Sequence, residues 1–207
     1  MPRKHAINET FFDTWSHDMA YIMGFFIADG NVSKNKYTIN FTLHEKDIEF
    51  LHYVNCTMGS GYEIKRIKNK EQYAYLSISS IAIVASLAKY GILPNKRETW
   101  HGVNFDIPPQ YIPDFVRGFF DGDGWVCNCA STGYCQTGFA NKSKRFLKQI
   151  KSMTGLLGGS LTERTSWYQL TFSHGNSLRL RDFMYNGNFA LERKRDKLNA
   201  QLPLPLL

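Results

Sequence analysis

The chain has 207 residues, 43% hydrophobic and 14% aromatic, so it has the apolar material for a core and does not read as disordered. Its 25 Lys and Arg against 18 Asp and Glu leave a net charge of +7, which favours a polyanionic partner without naming one. The apolar run from Met19 to Ala28 is about half of the ~20 residues a membrane-spanning helix needs, nothing before it resembles a cleavable signal, and four cysteines are too few for a disulfide framework. A soluble, intracellular protein with reduced thiols is expected, bound to no membrane.

In chain order, the first predicted element is an apolar helix ending in the segment G-F-F-I-A-D-G over residues 24–30. Gly30 stands where a left-handed helix cap would fall, which places Asp29 in the last turn. A strand follows over Thr38–Leu43, where Ile39, Phe41 and Leu43 alternate with Thr38, Asn40 and Thr42. Asp47 opens a second helix with acidic residues in its first turn. Lys65, Arg66 and Lys68 precede a second alternating strand over Tyr73–Ile78. Ser80 can cap a third helix, which Gly91 and Pro94 can end.

Residues 94–109 hold three prolines and little periodicity, the signature of a linker. Beyond them the chain repeats itself. G-F-F-D-G-D-G over residues 118–124 returns the first segment at an offset of 94 (118 − 24), so that Asp29 matches Asp123 and Gly30 matches Gly124. Tyr134–Phe139 is the counterpart of Thr38–Leu43, Ser143 opens the second helix, and Trp167–Phe172 alternates as Tyr73–Ile78 does. Each half reads helix, two strands, helix, two strands, helix, with halves at 1–93 and 110–207. Such a period is too long for a solenoid and marks a duplicated half-domain.

Gly24 with Ala28, and Gly118 with Gly122, give each repeated helix a stripe of small residues, so the two helices are expected to pack closely on each other. That packing brings Asp29 and Asp123 together at the negative ends of two helix dipoles. Their repulsion calls for cations between them, and a carboxylate pair with hard-oxygen surroundings suits Mg²⁺.

The two segments, in this duplicated context, resemble the paired signature motifs of the single-chain LAGLIDADG homing endonucleases. The resemblance implies an α+β fold of two pseudo-symmetric αββαββα halves packed through the motif helices, with a β-sheet saddle for DNA. It implies metal binding at Asp29 and Asp123, with the preceding Ala28 and Gly122 in the same site, and Mg²⁺, replaceable by Mn²⁺, as cofactor. A functional lysine near each centre maps onto Lys96 and Lys194. The implied activity is that of an intron-encoded, monomeric enzyme cutting both strands of a long asymmetric DNA target.

DNA contacts are expected from the polar strand faces. In the first half these are Thr38, Asn40, Thr42, Lys65, Arg66, Lys68, Tyr73, Tyr75 and Ser77. In the second they are Tyr134, Gln136, Arg164, Trp167, Gln169 and Thr171. Asp121 departs from the repeat, because Ile27 stands at its matching position.

Rival motifs are poorer. A calcium loop starting at Asp121 would need Glu where Thr132 stands, and Cys127, Cys129 and Cys135 lack zinc-knuckle spacing. An RNA maturase or a non-cleaving DNA-binding protein on the same fold is the alternative reading. An intein would need a nucleophile at its start and a His-Asn ending, whereas the chain begins Met1-Pro2-Arg3-Lys4 and ends in Leu207, so a free-standing protein is expected.

Overall fold

A computed structural model describes residues 5–34, 37–94, 106–128, 133–185 and 189–200. The first half runs α1 (His17–Asp29), β1 (Gly30–Val32), β2 (Thr38–His44), α2 (Ile48–Thr57), β3 (Ile64–Ile67), β4 (Lys70–Ser79) and α3 (Ile81–Lys89). The second repeats it as α4 (Ile112–Asp123), β5 (Gly124–Asn128), β6 (Cys135–Asn141), α5 (Lys144–Thr154), β7 (Ser160–Glu163), β8 (Tyr168–Phe172) and α6 (His174–Met184), then adds α7 (Glu192–Asn199). Most of the expected linker lies outside the described residues.

Local chemistry sets several boundaries. The Ser16, Ser80 and Ser143 hydroxyls accept from the backbone N–H of Met19, Ile83 and Phe146, capping α1, α3 and α5. Gly91 ends α3 at φ 77° and Gly155 ends α5 at φ 62°, where a side chain would be strained. Asp47 makes no side-chain cap on α2 and serves elsewhere.

Each half holds one four-stranded antiparallel sheet, in the orders β1-β2-β4-β3 and β5-β6-β8-β7. One face of each is apolar. In the first, Ile39, Phe41, Leu43, Ala74, Leu76 and Ile78 are buried, and Phe41 packs edge-on against Phe26 and Phe50. In the second, Phe139 takes the same place between Phe119 and Phe120. The shared centre is α1 against α4, and ten consecutive residues of α1, Met19 to Ala28, are buried. A helix that is apolar all round belongs in a core, and none among the described residues is long and apolar enough to cross a membrane.

The α1–α4 contact is reciprocal, as a two-fold relation between copies requires. A Cβ on Gly24 would strike the carbonyl of Phe115 and the N–H of Phe119; one on Gly118 would strike the carbonyl of Tyr21 and the N–H of Phe25. Matched residues also meet each other. Ala28 lies against Gly122, and the His17 and Tyr111 rings sit 5.0 Å apart near the opposite ends of the helices.

Two expectations need correction. Gly30 and Gly124 are extended, at φ −73° and −77°, and form no left-handed cap. Glycine is needed there because a Cβ would collide with the ring and carbonyl of Phe26 or Phe120. The counterpart of Thr38 is Gln136 rather than Tyr134: Gly30 pairs with Phe41 and Gly124 with Phe139, so the second hairpin is four residues longer.

Candidate active site and nucleic-acid interface

α1 and α4 reach their C-terminal ends together. Asp29 is exposed, Asp123 is half-buried, and an Asp29 carboxylate oxygen lies 3.5 Å from where a Gly122 Cβ would stand. Each acid is the last residue of a helix, facing the negative end of its dipole.

Part of the compensating charge comes from the chain itself. Lys194, only 6% exposed, donates to the carbonyls of Phe120 at 2.7 Å, Gly122 at 2.9 Å and Gly124 at 2.8 Å. All three ammonium protons thus cap the end of α4. Burial pushes the Lys194 ammonium down to about 8, against the opposing pull of Asp121, Asp29 and Asp123. The neighbouring Arg193 grips Asp47 of the first half through two hydrogen bonds, and this pairing, with the fields of Asp121 and Asp29, raises its guanidinium further.

Asp121 is buried behind this end. It accepts from Tyr21 Oη at 2.8 Å, Tyr185 Oη at 3.0 Å and the Leu191 N–H at 2.9 Å. Burial pushes its carboxyl up while these donors pull it down. Both phenols are held well above their ordinary values by burial and by Asp121 itself, so they stay donors.

The donors present suit a hard divalent cation: two carboxylates from converging helices, with the Ala28 and Gly122 carbonyls behind them. No cluster of three acidic, His or Cys side chains occurs among the described residues, so such an ion would complete its shell from water and phosphate. The Gly122 carbonyl already serves Lys194, leaving one lone pair. Lys96 and Cys129 lie outside the described residues.

The polar faces of the sheets carry most of the expected contact residues. In the first half, register pairs Asn40 with Ser77, Thr42 with Tyr75 and His44 with Tyr73, and Lys65 lies opposite Tyr75. Lys68 is exposed in the β3–β4 turn. Asn40 is anchored, accepting from Ser77 Oγ at 2.7 Å and donating to Ser33 Oγ at 2.9 Å.

Two expected contact residues are not exposed on the polar face. Thr38 is 5% exposed with its hydroxyl against Ser79, and Arg66 lies opposite Ala74 on the other face, where it pairs with Glu45. In the second half Gln136, Gln169 and Thr171 share the polar face. Arg164 donates to Gln169 at 3.2 Å, Trp167 is 36% exposed, and the Tyr134 ring packs 5.1 Å from that of His174. Sequence reasoning missed Asn31, His44, Trp125 and Cys127, which register places on the same faces; continued alternation into the flanking strands was the available signal.

Residues 111–182 match the family model of the LAGLIDADG-like domain. Among curated proteins, the chain is 24% identical over 205 residues to uncharacterized protein MJ0398 of Methanocaldococcus jannaschii, covering 90% of this chain and 72% of that one. Similar solved structures include the LAGLIDADG homing endonuclease I-GzeII in complex with its DNA target, at TM-score 0.62 and 12% identity, covering 91% of this chain and 90% of that one. The homing endonuclease I-SmaMI bound to cleaved DNA superimposes at TM-score 0.60 and 14% identity, covering 90% and 88%. The chain therefore has the two-part fold of the LAGLIDADG homing endonucleases, and residues 111–182 of its second half match the LAGLIDADG-like domain model.

Proposed function

We propose that the chain is a site-specific DNA endonuclease, acting as a monomer, that makes a double-strand break in a long asymmetric target by metal-dependent phosphodiester hydrolysis. The observation that carries this reading is the placement of Asp29 and Asp123, matched across the repeat, as the last residues of two helices whose ends touch through Ala28 and Gly122. A bound Mg²⁺ would lower the pKa of an attacking water and offset charge on the phosphate. Asp29 and Asp123 would hold and orient such a cation. The Lys194 ammonium, held at the end of α4 in the field of both acids, offsets part of their repulsion before substrate arrives.

The polar sheet faces supply the DNA grip. Asn40, Gln136, Gln169, Lys65 and Arg164 have the donors and acceptors to read base edges, while Thr42, Tyr73, Tyr75 and Thr171 suit phosphates and bridging waters. The two faces differ in side chains, so an asymmetric target is expected. Similarity to endonucleases solved with DNA supports this reading.

The test is incubation of the purified chain with Mg²⁺ and DNA spanning the joined flanks of the intron that would carry its gene. Cleavage of both strands at one site is expected. Tight binding without a cut in either strand would favour the non-cleaving or maturase alternative.

A further inference from the structure

Asp121 is the motif position where a polar residue replaces an apolar one across the repeat, and it is among the most heavily engaged polar side chains of the second half. Its carboxylate is 1% exposed and accepts three hydrogen bonds, all from outside its own helix and two of them from the chain that joins α6 to α7. Those two partners are Tyr185, at the end of α6, and the Leu191 N–H, at the start of α7. One helical turn beyond Leu191 is Lys194, whose N–H bonds back to the Leu191 carbonyl at 3.0 Å. Asp121 therefore fixes the first turn of α7 against α4, and that turn delivers the ammonium to the carbonyls of Phe120, Gly122 and Gly124.

We propose that Asp121 is a positioning residue, which anchors the start of α7 and through it seats the Lys194 ammonium at the end of α4 beside the Asp29 and Asp123 carboxylates. Its functional part rests on the nuclease reading above. In the first half Ile27, 3% exposed, fills the matching place with no polar atom, so this device belongs to one half only. A defect at Asp121 should therefore burden one of the two strand cuts more than the other.

The experiment uses the full chain and two readouts. The first is the Lys194 Nζ resonance in ¹⁵N-lysine NMR, assigned by its absence from Lys194→Arg; a buried ammonium with three acceptors gives a protected signal. In Asp121→Asn this signal should shift or vanish while the melting transition stays cooperative. The second is single-turnover cleavage. Its rate should fall about tenfold to a hundredfold, with nicked duplex accumulating and DNA affinity within about threefold of the parent, since small displacements of positioned groups cost this much.

A folded Asp121→Asn chain that keeps the Lys194 signal and cuts both strands at the parent rate overturns the proposal. Should Asp121→Asn fail to fold, Tyr185→Phe removes a single donor and is read in the same way: an unmoved Lys194 signal there overturns the proposal too. A parent chain that cuts no DNA, while Asp121→Asn still displaces the Lys194 signal, contradicts the nuclease reading but supports the anchoring of Lys194.

Discussion

The Lys194 ammonium lies 2.9 Å from the Gly122 carbonyl, and its other two protons go to the carbonyls of Phe120 and Gly124. Lysine at this place is a helix cap as well as a charge. Lys194→Met should leave three carbonyls without their donor and cost about 2 kcal/mol of stability, after relief from burying the charge is allowed for. Denaturant unfolding checks this. A lysine held free for chemistry would leave the midpoint unchanged.

The glycine stripe gives a sharper stability test. Gly24→Ala places a methyl group on the Phe115 carbonyl, a backbone atom that cannot turn aside, so the helices must separate at a cost of about 3 kcal/mol. Gly175 is the internal control. A Cβ there meets nothing within 4 Å, so Gly175→Ala should stabilise α6 by about 0.5 kcal/mol or more. Thermal melts of the two variants should move in opposite directions.

Lys65 and Arg66 are adjacent but face opposite ways. Lys65→Ala should weaken DNA binding and reduce the steepness with which affinity falls as salt rises, because one phosphate contact fewer releases fewer counterions. Arg66→Ala should change neither, since Arg66 is paired with Glu45 on the far face. Titrations at several salt concentrations measure both. An equal loss from the two variants would contradict the placement of the DNA on the polar face.

Asp13 links the segment before α1 to α3: Ser86 Oγ donates to it at 2.6 Å and Lys89 Nζ at 3.1 Å, which hold its carboxyl below the ordinary value. A folded-state pKa below the unfolded one means that the contribution is present above the unfolded value and is lost as pH falls through the folded value. Asp13→Asn should therefore destabilise the chain at neutral pH and have less effect in acid. Carboxyl ¹³C titration together with unfolding at several pH values tests the sign.

The repeat was legible because the contact between the two copies admits no side chain at Gly24 or Gly118, and that requirement shows in both segments. Ser80 and Ser143 were legible as caps because capping is local chemistry. Arg66 was legible too, but alternation was not applied to it: adjacent strand residues face opposite ways, so with Lys65 on the polar face Arg66 must lie on the other. The capping role of Lys194 depends on partners 70 to 74 residues away, and no spacing rule reaches that far. Gly30 misled for a different reason: the usual cause of a glycine after a helix is a positive φ, and here it is room for the Phe26 ring.

The most direct test of the central claim is paired substitution of the matched acids. Asp29→Asn and Asp123→Asn, each alone, should bind the DNA target in Ca²⁺ about as well as the parent and fail to make a double-strand break in Mg²⁺, because each removes one carboxylate from a shared site. A single variant of either kind that breaks both strands at the parent rate would contradict the account.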